Sequence, residues 1–106
     1  EVLRYNDTLR CVTNFYVSPT MVGTNDGWGS DHGKTRYWDL RSTLQDHNYA
    51  LTPEDAMSLL HLVSQERKDD DPTSFTQWSA LYNLTNKSVR LALLRDYSKS
   101  FDFRVE

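Results

Sequence analysis

Hydrophobic residues gather in a few stretches of the chain, and the spacing within each predicts an element. Residues 8–17, TLRCVTNFYV, are β-branched and aromatic with no Gly or Pro, which predicts a strand that Pro19 ends. Residues 20–33 hold every glycine of the chain together with Asn, Asp and Ser, the composition of a long irregular loop. Such loops in compact domains usually serve function. Over residues 34–48, Tyr37, Leu40, Leu44 and His47 recur at helical spacing beside a stripe of Arg36, Leu40 and Leu44, so an amphipathic helix is expected.

A second helix has a clear start. Thr52 can cap it, Pro53 has no N–H to leave unpaired at the first position, and Asp55 stands near the free amides of the first turn. Ala56, Leu59, Leu60 and Val63 form its expected buried stripe. KDDDP at 68–72 reads as a solvated connection. Two extended runs follow, 75–84 and 89–97, joined by TNKS, where Asn86 tolerates the positive φ of a tight turn. An antiparallel hairpin is expected. Trp78, Ala80, Tyr82 and Leu84 share one face of its first strand while Phe75 and Leu81 occupy the other; in the second, Val89, Leu91 and Leu93 oppose Ala92 and Leu94. Apolar residues on both faces predict a sheet covered on both sides. Two helices can hardly cover both, so a further layer must come from elsewhere. The order β, loop, α, α, β, β is that of an α+β protein, an antiparallel sheet with two helices.

Composition narrows the function classes. A length of 106 residues suits one domain or a fragment of one, with a single modest core. The net charge of −3 and the scattered Lys and Arg residues argue against nucleic acid as a partner. No apolar run approaches the roughly 20 residues that span a bilayer, and residues 1–5 lack a signal-peptide stretch. The chain reads as soluble, with a cytoplasmic location favoured and no membrane partner.

Candidate chemistry is mostly excluded by spacing. Cys11 is the lone cysteine, so an internal disulfide or a cysteine-rich zinc site is impossible within the chain, and a small buried hydrophobe is its expected role. His32, His47 and His61 lie far apart with no spacing that puts two on one helical face, and the acids at 26, 31 and 69–71 do not follow a calcium-loop pattern. The glycines at 23, 27, 29 and 33 form neither a dinucleotide fingerprint nor a phosphate loop. No metal and no cofactor are expected. Sequons at Asn6, Asn83 and Asn86 are at the level that abundant Asn, Ser and Thr produce by chance.

One ordered set of motifs points further. CVTNFYVSP, a Gly-rich loop, GKTRYWDL and TQWSALYNLTNKSVRLALLRDY together resemble the C-terminal portion of the linear amide C–N hydrolases, a group that includes choloylglycine hydrolase-like and penicillin acyltransferase-like enzymes. The similarity covers nearly the whole chain. It implies that residues 1–106 are the C-terminal segment of an N-terminal-nucleophile (Ntn) domain, an αββα sandwich of two stacked antiparallel sheets between helical layers. In that family an autocatalytically exposed N-terminal cysteine attacks, with its own amine as base. Glu1 cannot replace that thiol and Cys11 falls at a strand position, so the resemblance implies that the nucleophile would belong to an upstream segment of the same protein and that this chain alone would not be catalytic.

By the same resemblance, Asn14 would support the oxyanion and Arg36 would supply a cation to the pocket, while the hydroxyls of Thr76 and Ser79 would approach the substrate, a small N-acyl amide. The family's Thr-Asn-His-Phe is here TNF, without the His. The plainer readings are a strand-ending Asn14, a surface Arg36 and strand hydroxyls with no special role. The alternative function is a noncatalytic binding domain that grips a partner through aromatic residues such as Tyr16 and Trp28.

Overall fold

The computed structural model describes Cys11, Thr13 and residues 30–105, with backbone alone at residues 30–32. The expected strand at 8–17 lies outside the described residues apart from Cys11 and Thr13, which belong to no helix or strand; most of the glycine-rich loop lies outside them too. The chain divides into two compact units, Glu1–Ala50 and Leu51–Glu106. The described residues form two helices and a three-stranded antiparallel sheet, an α+β fold.

In the first unit, α1 spans Ser30–Asp46 and so begins inside the stretch expected to be loop. Glycine within a helix costs about 1 kcal/mol relative to alanine, which is why the pattern pointed to a start after Gly33. Gly33 is buried, and its carbonyl accepts a hydrogen bond from Thr13 Oγ1 at 2.7 Å. The far end is closed by a Schellman arrangement. Asn48 and Tyr49 take φ of 52° and 61°, Asn48 N–H donates to Gln45 O at 3.0 Å, and Tyr49 N–H donates to Leu44 O at 2.7 Å. Asn48, expected as the last helical residue, is therefore the left-handed residue that stops the helix.

The second unit starts as its sequence suggested. Helix α2 spans Pro53–Leu62, and Thr52 Oγ1 accepts from Asp55 N–H at 3.1 Å. Its buried residues are Met57 and Leu59. Met57 was absent from the expected stripe, where Ala56, Leu60 and Val63 prove only half-buried. Because Met57 lies three positions before Leu60, it widens the apolar arc by one column.

A compact connection then leads into the sheet. Lys68 and Asp71 form an isolated bridge, and the exposed Asp71 carboxylate accepts from both Thr73 N–H at 2.9 Å and Thr73 Oγ1 at 2.7 Å. Those bonds favour the ionised form, so the Asp71 carboxyl sits below its ordinary range.

Strands β1 (Trp78–Asn83) and β2 (Ser88–Leu93) form the expected hairpin, with Trp78 opposite Leu93 and Asn83 opposite Ser88. Its loop is organised by Asn83, whose Oδ1 accepts from Thr85 N–H and Asn86 N–H. The positive φ falls at Lys87, 54°, not at Asn86.

The second strand is shorter than the run at 89–97. Leu94 and Arg95 take φ of 53° and 60°, and Asp96 N–H donates to Leu93 O at 2.9 Å, so the strand ends in a turn with two left-handed centres. That geometry normally selects Asn and Gly. Beyond it lies β3 (Phe101–Arg104), a strand the sequence reading did not contain, paired antiparallel to β2 with Leu91 opposite Phe101 and Arg90 opposite Asp102. The sheet order is β1-β2-β3.

Alternation sorts the side chains into two unlike faces. Toward α2 lie Ser79, 9% exposed, and Ala92, 1% exposed, with Arg90 Nε 2.9 Å from Asp102 Oδ1 across the strands. The opposite face carries Trp78, Ala80, Tyr82, Val89, Leu91, Leu93, Phe101 and Phe103 and no charge. On it Trp78 and Tyr82 are each 67% exposed and Phe103 55%. The expectation of a sheet apolar on both faces is thus half met, because the α2 side mixes Ala92 and Leu81 with paired polar groups. No described element of the second unit covers the apolar face.

Two substitutions test this account. Thr52→Ala should lower unfolding stability by about 1 kcal/mol, with Thr52→Ser near neutral. Leu94→Asn should raise it by about 0.5–1 kcal/mol, since Leu94 is largely exposed and its left-handed conformation is costly for a branched side chain. Denaturant titration of each variant reads both effects; a destabilised Leu94→Asn would contradict the turn assignment.

Candidate functional site

In the first unit the described chemistry gathers on α1. Arg36 stands one turn beyond Gly33 and is half-buried. Arg41, five positions on, donates from Nη1 to Tyr37 Oη at 3.4 Å, and the Tyr37 ring meets Trp38 edge to face with centroids 5.2 Å apart. The half-buried Cys11 thiol is pushed above its ordinary pKa by burial, which outweighs the opposing pull of the Arg41 charge. A thiol shifted upward holds less thiolate at neutral pH, so this environment does not activate Cys11 as a nucleophile.

Asn14, the expected oxyanion donor, lies outside the described residues, as do Tyr16 and Trp28. Arg36 belongs to the first unit and Thr76 and Ser79 to the second.

In the second unit both expected substrate hydroxyls make internal bonds. Thr76 Oγ1 accepts from Gln65 N–H at 2.8 Å while Thr76 N–H donates to Gln65 O at 3.0 Å, so the pair ties the exit of α2 to the approach to β1. Ser79 lies on the α2 side of β1, with Oγ 2.7 Å from Tyr97 Oη. Tyr97 Oη also donates to Leu60 O at 3.4 Å, and its ring stacks on His61 with centroids 4.3 Å apart and planes 17° apart. Serine, tyrosine and the helix backbone therefore form one chain of bonds across the helix–sheet contact.

Sequence reasoning missed this cluster and the concavity beside it. An opening of about 260 Å³ is lined by Glu54, Met57, Ser58, His61, Arg90 and Tyr97 among others. Arg90 is held above its ordinary pKa by its hydrogen bonds to Asp102, then by the Asp102 charge and Glu54, whose Oε1 lies 3.4 Å away. Two carboxylates against one guanidinium leave little positive charge for an anionic ligand, so the cluster reads as a structural tie. No local spacing could reveal it, because His61, Arg90 and Tyr97 come from separate elements. The packing of α2 on the sheet brings them together.

Among the described residues no group of three or more His, Cys, Asp or Glu side chains could hold a metal ion, and no helix is long and apolar enough to cross a membrane. No family model, curated protein or solved structure matches the chain.

The tie itself is testable. Ser79→Ala and Tyr97→Phe should each cost about 1 kcal/mol of stability, and the double variant should cost clearly less than their sum, because both remove the same bond. Strict additivity in a double-mutant cycle would show that the two hydroxyls are not coupled.

Proposed function

We propose that this chain is the C-terminal, noncatalytic part of an Ntn amide C–N hydrolase or acyltransferase that acts on N-acyl amides through a cysteine nucleophile supplied by an upstream segment of the same protein. The observation that carries the reading is the asymmetry of the sheet. One face lies under α2 and the other is a charge-free surface of eight apolar residues with Trp78, Tyr82 and Phe103 more than half exposed. A layered αββα protein requires that arrangement in each half: helix on one side of the sheet, a second sheet on the other. Fully burying a large apolar side chain contributes about 1.5–3 kcal/mol, so covering this face would contribute several kcal/mol in total.

The ordered motifs that resemble the amide hydrolases supply the chemistry. The upstream thiolate attacks the acyl carbonyl, the C–N bond breaks as the amine leaves with a proton, and water or a second amine resolves the thioester. In this scheme Asn14 donates to the oxyanion and the fixed charge of Arg36 steadies the nucleophile or a substrate carboxylate. Thr76 and Ser79 act indirectly, since their hydroxyls are engaged in bonds that fix β1 against α2.

The test is to produce the chain together with its upstream sequence and assay release of amine from N-acyl amides. Hydrolysis should appear with the longer protein, be absent from the chain alone, and fall at least about a hundredfold with Arg36→Ala. A folded complex with an exposed N-terminal cysteine and no amidase or acyl-transfer activity defeats the reading and favours a noncatalytic binding domain.

A further inference from the structure

We infer that the outer edge of β3 is a dimer interface, at which the strand pairs antiparallel with β3 of a second copy of this chain in the one register that sets Asp102 opposite Arg104 of that copy. The inference is independent of the chemistry proposed above.

The backbone decides which residues can pair. Val105 N–H donates to Lys87 O at 2.8 Å, and within the strands Val89 stands opposite Phe103 and Leu91 opposite Phe101. In an antiparallel ladder the backbone groups of successive residues point alternately to one neighbour and to the other, so residues 101, 103 and 105 bond to β2. Asp102 and Arg104 therefore direct their N–H and C=O groups to the outer edge, which no described strand occupies. An incoming strand bonds there through residues whose own groups point outward. In a second copy of β3 those are again Asp102 and Arg104.

Side-chain charge then selects the register. Setting Asp102 against Asp102 of the copy, or Arg104 against Arg104, places like charges directly opposite, which destabilises a cross-strand pair. Setting Asp102 against Arg104 gives an attractive pair at both ends of the contact, with the two-fold axis passing between the two Phe103 residues. Asp102 already accepts from Arg90 Nε at 2.9 Å, and Arg104 makes no ion pair among the described residues, so Arg104 of the copy extends an existing row of charges. On the apolar side the same register places Phe103 against Phe103 and Phe101 against Val105. These residues are 55%, 49% and 58% exposed, and aromatic or aromatic–β-branched pairs across strands are favourable. The edge charges repel a strand of unmatched pattern, so the edge is selective for its own copy.

A four-residue edge buries little area, so the dimer should be weak, with a dissociation constant on the order of 0.1 mM. Sedimentation velocity on the full chain from about 10 µM to about 1 mM should show a reversible shift from monomer to dimer. Arg104→Glu opposes acids at both ends and should weaken the dimer about tenfold or more. Disulfide trapping reads the register and stays decisive even where that variant lowers folding stability. In a Cys11→Ser background, Phe103→Cys should form a disulfide dimer on mild oxidation, because this self-opposed, non-hydrogen-bonded position brings the two Cα atoms about 4.5 Å apart. Phe101→Cys should remain uncross-linked, since its two copies lie four residues apart along the strand, roughly 13 Å. A chain that is monomeric throughout overturns the inference. So does a dimer that Arg104→Glu leaves intact, or one in which Phe101→Cys cross-links as readily as Phe103→Cys, because the contact would then run through the apolar face or another register.

Discussion

The second unit depends on the register of β2 between its two neighbours. Leu91 stands opposite Ala80 on one side and Phe101 on the other, and Arg90 stands opposite Leu81 and Asp102. Side chains alternate along a strand, so a shift of one residue would turn Leu91 toward α2 and Arg90 into the apolar face. The Arg90–Asp102 pair, the buried Ala92 and the bond between Ser79 and Tyr97 are all consequences of that register. So is the separation of a polar, helix-covered side from an uninterrupted apolar one.

Elements with local chemical signals were legible in the sequence. Thr52 and Pro53 announce α2 because a cap and a missing N–H act within one turn. The hairpin was legible because β-branched and aromatic residues flank a polar loop. What failed depended on backbone conformations that the residue types resist. Leu94 and Arg95 are poor candidates for left-handed φ, so the run through 97 looked continuous and the four-residue β3 behind the turn went unseen. In the same way Gly33 signalled a loop, although a neighbouring segment uses its bare backbone inside a helix.

The candidate site shows where such reading stops. Arg36 was placed on a helix correctly, since helical spacing is a local property. Thr76 and Ser79 were assigned by motif, and a motif does not reveal which way a hydroxyl is engaged: Ser79 meets a tyrosine eighteen residues away. Tyr97 and His61 carried no signal at all, because their stacking is produced by the packing of α2 on the sheet. Long-range partners become visible only once the topology is known.

The outer edge of β3 carries a consequence for behaviour in solution. Its four residues are all exposed, with Phe101 and Phe103 on the apolar side, and among the described residues no strand pairs with its far edge. An open edge beside an aromatic surface is a template for adding foreign strands. The strand's shortness and the charges of Asp102 and Arg104 limit that hazard but occupy the opposite side of the sheet. A layer laid over the aromatic side would therefore do more than add burial: it would also guard the chain against misassembly.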